Sequence, residues 1–218
     1  MEKTADRNVS FEQLMLFFLG SILLFCWFVF RTESFSSITK HAWWTAYPMG
    51  YMKLFFLGTT GELIKYRIAC GNWDLDKLIQ RALLWGVFGI WFTYAFPLFS
   101  GGVDALIAKG LLPNFAVALQ KSLAINVLGG YALFMMHTHE YGNYVIENNG
   151  RRWSLKGFCE HVQPGFMFGF LVKTIPAWIL LHWYTFSQDP GKQVMIAGVL
   201  ALFLGFLLSV GKKRHASV

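Results

Sequence analysis

Charged side chains are scarce here: 14% of the 218 residues, against about a quarter in an ordinary soluble domain. A chain so poor in ions has too little surface chemistry to face water on all sides. Cysteine is scarce too. Cys26, Cys70 and Cys159 are odd in number and scattered, which excludes a disulfide framework and a zinc knuckle. No glycine-rich phosphate loop, Gly-x-Ser-x-Gly elbow or His-Glu-x-x-His helix occurs. No catalytic motif is found, no enzyme is expected, and no cofactor is called for. The chain also lacks low-complexity segments, convincing internal repeats and any stretch resembling a second, soluble domain. A single transmembrane helical domain over 1–218 is the expectation.

Long apolar runs take the place of the missing charge. Gln13 to Phe30, Ala82 to Val103 and Gln193 to Gly211 contain no charged residue over 18, 22 and 19 positions. A bilayer core needs about 20 apolar residues per helix, so these read as membrane spans. The expected fold class is an all-α integral membrane protein, a bundle of about six transmembrane helices. The spans are 11–30, 47–68, 78–100, 114–137, 165–187 and 193–211, with the longest loop at about 138–157. The first span mixes acids and bases in its flank and shows no small-residue cleavage site, so it reads as an uncut anchor rather than a signal.

Six spans put both termini on one side. That side holds Lys3, Arg7, Lys65, Arg67, Lys77, Arg81, Arg151, Arg152, Lys156, Lys212, Lys213 and Arg214, twelve of the 19 bases; the other holds Arg31, Lys40, Lys53, Lys109 and Lys192. This asymmetry predicts termini on the cytoplasmic side. It also gives the net charge of +7 a topological meaning, since the bases are spread over short loops rather than gathered for nucleic acid. With no recognisable transit peptide, a bacterial cytoplasmic membrane is expected, an organelle membrane being the alternative. Membrane lipids are the expected partners, small solutes are unspecified, and a homo-oligomer is open.

Ionic and polar groups inside spans are costly, roughly 2.5 kcal/mol or more for a charge at mid-bilayer, so each draws attention. Glu62 has Lys65 and Tyr66 three and four residues on, on one helix face; an intrahelical pair and an acid facing an aqueous vestibule both fit. Ser122, Asn126, Gly130 and His137 form a stripe on the fourth span, suited to helix packing or to a narrow water path. Lys121 beside them is placed to snorkel. Gly86 and Gly89 suit close helix contact. His137, His139 and His161 are ligand types for a metal, but their spacing meets no established motif, and they fall where a span should end. Trp178, His182 and Phe186 recur every four residues on one face, and Pro176 should kink or start that helix. Lys173 faces away from His182, so a Lys–His catalytic pair is not expected.

These last positions resemble a known pattern. Trp178, His182, Thr185-Phe186, Pro190 and Leu208-Ser209 match the closing spacing of the family named for the peroxisomal membrane protein of twenty-two kilodaltons, which includes mitochondrial inner-membrane members. There the pattern runs Trp-Pro, Gln, Asn-Phe, Pro and Leu-Ser. Gly61-Glu62 is similar to the family's Gly-Asp pair, and Asp76 through Arg81 to the segment opening its second helix. The resemblance covers about Tyr47 to the end. Pro176 is displaced from behind the Trp, His182 stands for Gln, Thr185 for Asn, Glu62 for Asp and Tyr66 for Gln. The resemblance implies a four-helix body over 47–211 with 11–30 as an added span, and a channel-like, weakly selective passage of small solutes or a role in membrane homeostasis. It points to Glu62, Trp178, His182, Thr185 and Phe186 as functional positions. The alternatives are a structural or interaction protein whose polar residues fasten helices, and a membrane enzyme built on the His-rich cluster.

Overall fold

The structure is a computed structural model, and it describes residues 11–30, 43–70, 77–128, 136–148, 152–161, 164–200 and 202. Among these residues there is no strand. Helices run Phe11–Phe30 (α1), Trp43–Cys70 (α2), Leu78–Ala108 (α3), Val117–Leu123 (α4), Met136–Glu147 (α5), Leu155–His161 (α6) and Pro164–Phe186 (α7). A π-turn, Ala124–Leu128, continues α4, and a 3-10 turn, Pro190–Lys192, leads into helical residues 193–200.

Several expected boundaries move. α2 and α3 both outrun their spans, α3 by two turns past residue 100. The fourth span opens at Val117 rather than 114, because Gly110 and Ala116 are left-handed (φ 70 and 49°) and hold the preceding loop in a turn. Neither His137 nor the segment after it ends a helix: α5 runs on to Glu147, and α6 occupies more of the expected 138–157 loop. Residues 129–135, between the π-turn and α5, fall outside the described ones, and with them the stretch of the fourth span that leads to its expected end. Pro176 lies inside α7 rather than at its start, as Pro48 and Pro97 lie inside α2 and α3. Most of the sixth span, and Gly130 of the polar stripe, fall outside the described residues.

α3 is, among the described residues, the one helix long and apolar enough to cross a membrane. At 1.5 Å per residue its 31 residues extend about 46 Å. Ile79, Leu83, Val87, Ile90, Tyr94 and Leu98 recur at three- and four-residue spacing, and each is 40–55% exposed. This outward stripe covers about 30 Å, the thickness of a hydrocarbon core.

The chain divides within α3 into two compact units, Met1–Gly89 with Gly198–Val218, and Ile90–Ala197. In the first, Phe17 of α1 is wholly buried with Leu63, Leu78 and Ala82, and its ring meets Phe55 and Phe56 at 5.6 and 6.0 Å. Ser21 and Thr60 share a hydroxyl hydrogen bond of 2.8 Å across α1 and α2. α2 and α3 cross backbone to backbone: a Cβ at Gly89 would collide with the carbonyl of Gly50, and one at Gly86 with the Tyr51 ring. The expected packing role of this glycine pair is therefore what the structure has. In the second unit, α4 with its π-turn lies against α7, and α5 packs on α6.

Gly89→Leu should destabilise the first unit, since overpacking a tight contact costs about 1–3 kcal/mol. Gly101, whose added Cβ would meet nothing within 4 Å, is the counterpart: Gly101→Ala should raise stability by about 0.5–1 kcal/mol through lost unfolded-state freedom. Thermal unfolding of the purified chain in detergent measures both, and a tolerated Gly89→Leu would refute the crossing.

Candidate functional site

The residues singled out from the sequence separate into two clusters, one in each unit. In the second unit, α7 buries one face and exposes the other. Trp178, His182, Thr185 and Phe186 are buried; Leu180, Trp183 and Tyr184 face out. The four-residue spacing explains this, because i and i+4 share a face. His182 is 0% exposed, as is Asn126 in the π-turn opposite. Asn126 Nδ2 lies 3.0 Å, and Oδ1 3.2 Å, from His182 Nδ1. A bare Nδ1 accepts from the amide and a protonated one donates to its oxygen, so either neutral tautomer finds a partner.

The bond continues on both sides. Asn126 Nδ2 donates to the Ser122 carbonyl at 2.9 Å, and Ser122 Oγ donates to the Ile179 carbonyl of α7 at 2.7 Å. The Ser122 carbonyl is the acceptor that the backbone N–H of Asn126 would use in a regular α-helix. With the side chain already on it, a widened turn at this point has a local cause. Thr185 Oγ1 is turned back onto the Leu181 carbonyl at 2.9 Å. Aromatic rings close the cluster: Phe96 stands edge-on to His182 with centroids 5.5 Å apart, Trp178 lies at 5.1 Å, and Phe96 meets Phe186 at 5.4 Å. The arrangement can hold α4 against α7 through polar contacts sealed from water.

In the first unit Glu62 is buried on α2, and its described partners come from the following helix. Arg81 Nη1 lies 3.4 Å from Oε1, and Trp85 Nε1 donates to Oε2 at 3.0 Å. The side chains of Arg81 and Glu62 are only 3% and 4% exposed. This corrects both expectations for Glu62, the pair with Lys65 and the water-facing acid: a carboxylate at such depth is met by a guanidinium that brings its own charge. Gly61 beside it admits the backbone of Leu202, whose Cα would lie 3.0 Å from an added Cβ.

Arg81, one of the bases that the sequence assigns to orientation, is a partner of Glu62 instead. The available signal was its four-residue spacing to Trp85, which puts both on one face of α3. Phe96 gave no signal inside an unbroken apolar run. Lys121 does not simply snorkel: its Nζ pairs with Asp104 at 2.8 Å, near the end of α3.

The histidines of the sequence cluster do not assemble a ligand set. His137 and His139 are buried on α5, where His139 is 3.4 Å from the Asn143 amide; His161 of α6 stacks on Tyr144 at 4.8 Å. Among the described residues no three His, Cys, Asp or Glu side chains gather as metal ligands. No family model, curated protein or solved structure matches the chain. The roles suggested by resemblance therefore rest on the quoted residues alone.

Removing one member of the buried ion pair should cost more than removing both. Glu62→Leu takes from Arg81 its buried carboxylate, a loss of about 3–5 kcal/mol, whereas Glu62→Leu/Arg81→Met should recover most of it. Asn126→Ala should cost less, between about 0.6 and 1.7 kcal/mol. Equilibrium unfolding in mixed micelles ranks the three, and a double variant no more stable than Glu62→Leu alone would show that Glu62 and Arg81 do not interact.

Proposed function

We propose that this chain is a multi-pass helical membrane protein of about six spans whose intramembrane polar residues fasten its helices, a structural or interaction component of the bilayer rather than a catalyst. The observation that carries the reading is the bonded set Ser122, Asn126 and His182, at which polar groups meet one another with no exposure. The outward apolar stripe of α3 supports the membrane setting, since water-soluble surfaces seldom leave a helix-long apolar face uncovered. Termini on the cytoplasmic side of a bacterial membrane remain our reading. Setting aside Arg81 and Lys53, both buried, leaves eleven bases against four.

A second reading is a small-solute channel described in a closed form. The π-turn at Asn126 favours it, because such turns recur at functional sites and a widened backbone can shift to open a path. Phe96, Trp178 and Phe186 would then be the plug, and breaking the Asn126–His182 bond would release it.

Planar-bilayer recordings distinguish the two. Folded, monodisperse protein is expected to stay silent, with His182→Gln and Asn126→Leu also silent but less heat-stable. Discrete conductance events altered by either substitution would replace the fastening role with the channel.

A further inference from the structure

Outside both clusters, α5, α6 and the segment 152–154 before α6 build an aromatic platform. Tyr141 is buried at its centre, with Trp153 at 6.0 Å, Phe158 at 5.8 Å and His161 at 5.6 Å. Ser154 Oγ accepts from the Gly157 amide at 3.1 Å, fixing the entry to α6. The platform's outer side is unusual in composition. Trp153 is 54% and Leu155 67% exposed, and exposed Arg152 and Lys156 flank them in sequence. Lys156 lies 3.8 Å from Glu160, both widely exposed, so that pair is weak. In sequence Arg151 precedes, and from Arg151 to His161 three bases face one acid.

We propose that this segment, Arg152 to Lys156, is a docking surface for the headgroups of anionic phospholipids at the bilayer interface. The inference rests on the membrane reading above. Three observations select lipid as the occupant. An indole and a leucine displayed together suit the boundary between acyl chains and water. The net positive charge complements anionic headgroups, each base near such a surface strengthening the attraction. Position agrees as well: α7 begins at Pro164, three residues after α6 ends, and its 23 residues extend about 34 Å, one hydrocarbon core. Three residues span at most about 10 Å, so α6 stays close to the mouth of that helix. The packing of Trp153 on Tyr141 and Phe158 holds the surface in place before lipid arrives, which lowers the ordering cost of docking.

Cys159, exposed on α6, supplies the probe site. With Cys26→Ser and Cys70→Ser, an environment-sensitive fluorophore on Cys159 is followed in full-length protein reconstituted into phosphatidylcholine vesicles with rising phosphatidylglycerol. The expected result is a blue shift that grows with phosphatidylglycerol and disappears in 1 M salt, where screening acts over about 3 Å. Arg152→Gln/Lys156→Gln should raise the phosphatidylglycerol fraction for the half-maximal shift several-fold. An equal shift in pure phosphatidylcholine, or one indifferent to the double substitution, would overturn the proposal. A shift that follows protein density rather than phosphatidylglycerol would mean that a second copy covers the segment, and would overturn it too. Protein that fails to co-float with the vesicles sinks the membrane reading along with this one; protein that floats without lipid dependence sinks this one alone.

Discussion

A polar group taken out of water must find its partner within the protein, and both units are arranged by that requirement. In the cluster at His182 the partners are neutral: a hydroxyl, an amide, an imidazole and two backbone carbonyls. At Glu62 they are ionic, with an indole N–H added to the carboxylate. The difference matters energetically. An unmade neutral bond leaves a penalty of about 1–3 kcal/mol, and an unpaired buried ion a larger one. The ionic cluster therefore tolerates the loss of a partner least, although replacing the whole pair by apolar side chains is comparatively mild.

How much of this could be read from the sequence depended on distance along the chain. The stripe Trp178, His182 and Phe186 was legible because helical geometry relates residues four apart without reference to any other element. Its burial in the structure follows directly, and Thr185 joins the same face. The pairing of Ser122 with Asn126 was legible for the same reason. Glu62 was noticed because a carboxylate in an apolar run is costly, but its partner lies nineteen residues on, in another helix. The one local mark of Arg81, its four-residue spacing to Trp85, does not point to Glu62. The π-turn was illegible because it arises from a side chain competing with the backbone, and periodicity does not encode that contest. Of the two readings of Pro176, a kink or a helix start, the start is the one excluded, since α7 runs through it.

Burying apolar surface cannot by itself fix how α4 meets α7. Leucine, isoleucine and valine faces pack acceptably in several registers, because dispersion is nondirectional and lipid tails compete on equal terms. A hydrogen bond is directional. Sliding α7 by one turn would displace His182 by about 5.4 Å from an amide now at 3.0 Å, and would also remove the Ile179 carbonyl from Ser122. Two polar contacts separated by one turn on each helix thus set both translation and rotation, as a single buried asparagine does in a coiled coil. The aromatic rings add what the bonds lack. Phe96, edge-on to His182 and to Phe186, packs beside the imidazole, which is 0% exposed. With water kept out, the Asn126–His182 bond has no competitor, which is why a bond worth little in solvent can choose one register among several.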